Sequence, residues 1–173
     1  MFAHRHITGV AVSAAILAGC STTRLNDVTR STGDLNVTEV IVSLDNMEPV
    51  SGRSFNRSKA QFQQELRVAV WDVLRASSNP EGTPATVMLD VKNMSLSNIA
   101  MRTLGQLSSI TADLTVTSEA GVIVPRQTVV GESDGIRLAG TFGAVTVPGL
   151  DKDYSQTVYG FAYTIEDLLF DKQ

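Results

Sequence analysis

Between Ser109 and Thr117 the residue character alternates at every position. Ile110, Ala112, Leu114 and Val116 are apolar, while Thr111, Asp113, Thr115 and Thr117 are polar. A period of two sends each set to its own face of a β-strand, so this strand belongs to a sheet with one buried and one solvated face. A sheet of that kind needs one apolar cover, and two stretches of helical period can provide it. Phe62, Leu66, Ala69, Val70, Val73 and Leu74 recur at helical spacing after Ser58, and Ser58 with Gln61 three residues later matches a capping box. That helix should stop before Asn79-Pro80, because the residue ahead of a proline avoids the α region. The second helix is expected over residues 151–171, with Val158, Phe161, Ala162, Ile165, Leu168 and Leu169 as its apolar stripe.

Three more strands complete the pattern. Val37 to Leu44 is β-branched, with Val40, Val42 and Leu44 on one face. Ala85 to Val91 places Val87, Leu89 and Val91 together, and beyond Asn93 the apolar positions move to Met94 and Leu96. That one-residue change of phase predicts a bulge or a strand leaving the core. Ser118 to Gly121 reads as a hairpin loop in which Gly121 takes the left-handed position. Val122 to Glu132 follows as a strand whose Pro125 lacks a ladder donor, which places it at an edge. The order β-α-β-β-β-α predicts an α+β fold: a mostly antiparallel four-stranded sheet with two helices on one face. Strand 2 should run parallel to strand 1 if they share the sheet, through a right-handed crossover.

The first nineteen residues have a different character. One Arg and two His without an acid precede the apolar run ITGVAVSAAILAG, which is too short to span a bilayer as a mature helix. The run ends Leu17-Ala18-Gly19-Cys20. This resembles the bacterial lipobox, and the resemblance implies cleavage before Cys20, a diacylglycerol thioether on its sulfur and an acyl chain on its new amino group. With Ser21 rather than Asp after the cysteine, the resemblance favours the outer membrane, with the domain facing the periplasm. The expected organisation is a signal peptide over 1–19, a lipidated cysteine with a polar tether over 20–36, and one globular domain over 37–173. A tether of that length reaches at most roughly 50 Å.

Cleavage would remove His4, His6 and Arg5, leaving 13 basic against 18 acidic residues, a net charge of −5. A chain with no histidine, and with its one cysteine acylated, cannot form an internal disulfide, a Ser-His-Asp or Cys-His centre, or a zinc site built on His or Cys. The acidic balance, without a Lys/Arg cluster, argues against nucleic acid. No motif points to a cofactor.

Several residue groups invite a functional reading. Asp151 and Asp153 could belong to a Ca²⁺ site, but the rest of a loop-type cage is missing, and both suit a helix N-terminus. Glu132 and Asp134 are a close carboxylate pair that could share acid and base roles on a glycosidic bond, or simply be solvated in a turn. Gly135, Gly140 and Gly143 lack the Lys-Ser/Thr that grips phosphate. Two apolar loops carry more weight. One holds Ile99, Met101, Leu104 and Leu107; the other holds Ile136, Leu138, Phe142, Val145, Val147 and Leu150. They either pack beneath the sheet end, or add a strand, or form a surface for a protein or acyl-chain partner. Trp71 lies opposite Phe62 on the helical wheel, and Tyr159, Tyr163 and Phe170 flank the second helix's stripe. These aromatics either cover each other's helix or form a binding surface.

The element order resembles several small envelope lipoproteins: auxiliary lipoproteins of lipid-transport ABC systems, the lipoprotein partner of the lipopolysaccharide translocon, and lipoprotein activators of cell-wall synthases. The resemblance implies a non-enzymatic, membrane-anchored binding protein working in a cell-envelope complex. The alternative is a lipid-handling or lipopolysaccharide-transport component whose apolar loops contact acyl chains, and a carboxylate-dependent hydrolase is the third reading. The candidate partner-binding residues are Trp71, Tyr159, Tyr163, Phe170, Ile99, Met101, Leu104 and Phe142; Cys20 is the lipidation site.

Overall fold

The computed structural model describes residues 34–133 and 148–170. Cys20, Phe142, Asp134 and most of the second apolar loop lie outside the described residues. The chain runs β1 (Leu35–Ser43), β2 (Ser51–Gly52), α1 (Lys59–Ser77), β3 (Thr83–Leu96), α2 (Ile99–Thr103), β4 (Ser109–Ser118), β5 (Gly121–Glu132) and α3 (Leu150–Phe170).

The fold is α+β, with two corrections to its expected form. The sheet is mixed and has five strands rather than four: the order is β1-β3-β4-β5, with the two-residue β2 also paired to β3. β1 and β2 both lie parallel to β3, while β3-β4 and β4-β5 are antiparallel. The parallel β1-β3 pair follows from the connection through α1, which carries the chain back to the starting end of the sheet. The second correction is helix α2, formed within what the sequence presents as an apolar loop. Asn98 caps it by accepting from the Met101 N–H at 2.9 Å, and Gly105, at φ 74°, follows its C-terminus.

Local signals explain most of the rest. The capping box at α1 is complete, with Gln61 N–H donating to Ser58 Oγ at 3.2 Å and Ser58 N–H to Gln61 Oε1 at 2.9 Å. The phase change in β3 is a register shift between Val91 and Asn93 opposite β4. β5 is an edge strand, as Pro125 requires, and its register slips where Pro125 and Arg126 stand.

The inward residues of β1, β3, β4 and β5 join the stripes of α1 and α3 in one core, in which Phe62, Leu66, Leu114, Phe161 and Ile165 have no solvent exposure. α3 lies very close to the end of β5. A Cβ on Gly160 would stand 2.1 Å from the Glu132 carbonyl oxygen, and one on Gly131 would stand 2.3 Å from Phe161 Cα. Only glycine lets the two backbones approach so closely.

This topology gives the sheet two distinct ends. Leu35 pairs with Thr83, so the chain enters beside the start of β3. The hairpin after β4 and the C-termini of α1 and α3 lie at that same end. The 14 residues of β3 then carry the chain roughly 45 Å to the other end. There lie α2, β2 and the N-termini of α1 and α3.

Candidate functional site

The distal end is organised around a buried carboxylate. Asp153, in the first turn of α3, has no solvent exposure and is bound by two arginines. Arg102 of α2 donates from Nη2 to Asp153 Oδ1 at 2.8 Å, and Arg53, beside β2, donates from Nη2 to Oδ2. Arg53 also donates from Nη1 to the Pro148 carbonyl at 2.8 Å. Ser108 Oγ donates to Asp153 Oδ2 at 2.5 Å while accepting from the Ser97 N–H at 2.8 Å. One carboxylate thus ties together the β2 loop, α2, the start of β4 and the start of α3. Helix capping accounts for only part of Asp153's role.

This arrangement fixes how α2 is presented. Arg102 points inward and is 3 % exposed, so the opposite side of its single turn faces solvent. Ile99 is 63 % and Leu104 74 % exposed; among the described large hydrophobic residues only Val122, in the hairpin at the opposite end of the sheet, is comparably open at 64 %. Met101 is half-buried and Leu107 is buried. The first apolar loop therefore divides, with Leu107 packed inward and Ile99 and Leu104 left outside.

The candidate aromatics divide too. Tyr159 and Tyr163 are exposed on α3. Trp71 and Phe170, expected off the core, are half-buried and pack against it. α1 touches both β1 and α3, so its covered arc is wider than its apolar stripe and takes in Trp71. The Arg75 guanidinium stands 5.7 Å from the Trp71 ring centroid. The structure does not bring the eight candidate residues into one surface. Ile99 and Leu104 sit at the sheet end, the tyrosines sit on the helix layer, and Phe142 is outside the described residues.

Between α1 and α3 lies a cleft of about 370 Å³, lined in part by Glu65, Val68, Tyr154 and Tyr159. Arg57 crosses its floor, 4.2 Å above the Tyr154 ring centroid, with Nε 3.2 Å from Glu65 and Nη2 3.1 Å from Asp151. Tyr154 donates its hydroxyl to Glu65 at 2.5 Å. Burial first, then the Glu65 carboxylate, pushes the Tyr154 hydroxyl pKa well above the usual tyrosine range.

The solvated sheet face carries a charge quartet. Asp90 and Asp113 stand directly opposite on β3 and β4, a placement that would repel without cations. Lys92 and Arg126 each bridge both carboxylates. Hydrogen bonds from Thr128 and then Arg126 hold the Asp113 carboxyl below the usual carboxylate range. The quartet is self-compensated. Among the described residues no group of three or more His, Cys, Asp or Glu is placed to hold a metal ion, and no helix is long and apolar enough to cross a membrane.

Sequence reasoning missed the Arg53-Asp153-Arg102 cluster. Its members lie about fifty positions apart in the chain, so no local spacing announces them. The one available hint was Arg102 itself, a lone cation inside an otherwise apolar loop. No protein-family model matches the chain, and no curated protein shows significant similarity to it.

Proposed function

We propose that this chain is a lipid-anchored, non-enzymatic binding protein of the bacterial outer membrane, facing the periplasm and working in an envelope complex. The observation that supports it best is the opposed placement of tether and apolar surface. The tether would join at Leu35, and the exposed Ile99 and Leu104 stand at the other end of a 14-residue strand. A protein anchored by Cys20 would hold these side chains away from its own lipid. Exposed apolar residues fixed by a rigid scaffold are a common contact surface for a partner protein. An acyl-chain carrier would be expected to turn its apolar surface toward a membrane or an enclosed cavity, so the lipid-handling reading is the less favoured.

The test uses the full chain extracted in mild detergent, compared with the double substitution Ile99→Ser and Leu104→Ser. The expected result is an unchanged melting curve together with loss of one co-purifying envelope protein, identified by mass spectrometry and restored by the wild-type chain. An unchanged set of co-purifying proteins would overturn the assignment of this surface, and co-purified lipid lost in the variant would establish the lipid-handling reading instead. Mass spectrometry of the mature N-terminus checks the anchor: an unacylated Cys20, or cleavage elsewhere, would remove the localisation.

A further inference from the structure

We infer that the distal end holds a binding site for an oxyanion, a carboxylate or a phosphate, between Arg53, Arg102 and Ser133. Among the described residues, three buried side-chain polar atoms have no hydrogen-bond partner: Arg53 Nε, Arg102 Nε and Ser133 Oγ. The two arginines meet at Asp153, and Ser133 is linked to them through Ser108. Both arginines bind Asp153, and the Ser133 backbone N–H donates at 2.9 Å to the carbonyl of Ser108, whose hydroxyl donates to Asp153. Folded proteins leave few buried polar groups unpaired, and each invites a missing partner.

Charge gives a second reason, independent of the first. Among the described residues, two guanidiniums share the one carboxylate of Asp153, so these three groups together carry one positive charge. The N-terminus of the 21-residue α3 adds the positive end of its dipole at the same place. An uncompensated buried cation is costly, and an anion removes that cost. Each guanidinium gives an Nη2–H to a different oxygen of Asp153 and leaves its Nε–H without a partner. A free guanidinium N–H is a strong charge-assisted donor to a carboxylate or phosphate oxygen. The Ser133 hydroxyl is a further donor. The partly exposed Arg53 side chain, at 19 %, is the side from which solvent reaches the cluster.

The site does not depend on the proposed function, because neither acylation nor a protein partner enters the argument. The experiment is calorimetric titration of the full chain in detergent micelles with inorganic phosphate and, separately, with acetate, using chloride at matched ionic strength as the control. Saturable heat and a rising Tm with phosphate or acetate, not reproduced by chloride, are expected. Arg53→Met should weaken that binding at least tenfold while preserving the circular-dichroism spectrum. Arg126→Met, which removes an equal charge from the solvated sheet face, should leave it unchanged. Arg102→Met repeats the test at the buried position if it folds. A parallel arm offers vesicles of phosphatidylcholine with or without phosphatidylglycerol. Binding through Arg53 to the anionic vesicles, tighter than to inorganic phosphate, would identify a lipid headgroup as the source. Absence of saturation in every arm, or equal binding by wild type and Arg53→Met, would overturn the site.

Discussion

Where the chain enters the sheet, Leu35, Val37, Leu74, Ala85 and Leu169 close the core. The polar contacts there are mainly backbone caps: Asn79 N–H donates to the Leu35 carbonyl at 3.0 Å, and Val37 N–H donates to Ser78 Oγ at 3.2 Å. One buried carboxylate, Glu166, accepts from Ser77. At the opposite end the elements meet around Asp153 and two guanidiniums, with Ile99 and Leu104 left outside, while at the entry end the hairpin residue Val122 is exposed as well. Apolar packing is non-directional and tolerates small shifts. A buried ion cluster is satisfied only in one arrangement of its elements. The entry end is therefore closed by burial, while the distal end is a positioned structure that holds α2 in place.

The largest expected effect comes from removing the shared carboxylate. Asp153→Ala would leave two guanidiniums facing each other in a buried setting, and breaking a buried pair in this way costs about 3–5 kcal/mol. Leu169→Ala, at the entry end, should cost about 2–5 kcal/mol through lost burial and a cavity. The two differ in their response to ions. Added phosphate should recover part of the loss in Asp153→Ala and none of it in Leu169→Ala, as read by urea midpoints with and without the anion. Equal responses would mean that the two ends are held in the same way.

This contrast also explains what the sequence could reveal. The alternation over Ser109–Thr117, the phase change after Val91, the Ser58-Gln61 capping box and Pro125 at an edge are each set by neighbours within a few residues. A one-dimensional pattern records such constraints, and all four appear in the structure. The Asp153 cluster depends on three segments meeting, and burial of a charge leaves no periodic trace. The same limit applies to Trp71 and Phe170. A helical wheel orients a side chain relative to its own helix, but a neighbouring element decides whether that direction is covered. β2 escaped because two residues pairing with a distant strand make no pattern of their own.

Trp71 and Phe170 give the next largest effect, and they sharpen the account of the helix layer. Both pack against the core while remaining partly in water. Truncation to alanine should therefore cost about 1–2 kcal/mol each, less than the loss of a fully buried aromatic. Denaturation of each single variant measures this. A cost below about 0.5 kcal/mol would mark them as surface residues and return them to the set of candidate contacts.

The smallest effect distinguishes the ends by pH. Tyr154 donates to Glu65 beneath Arg57, and burial with the adjacent carboxylate holds its hydroxyl protonated beyond the ordinary tyrosine range. Below about pH 10 the hydroxyl is protonated in both folded and unfolded chains, so it adds no pH dependence. Above that, the unfolded chain releases the proton while the folded chain retains it. Stability present below the unfolded pKa is therefore lost as pH rises. Tyr154→Phe removes the ionisation and the hydrogen bond together. It should cost about 1 kcal/mol near neutrality, and the decline in urea midpoint from pH 9 to pH 11 should become shallower. Leu169→Ala should keep the wild-type alkaline slope, because it alters no ionisable group. If Tyr154→Phe declines as steeply as wild type, the alkaline loss arises elsewhere, and the distal end owes none of its pH sensitivity to this tyrosine.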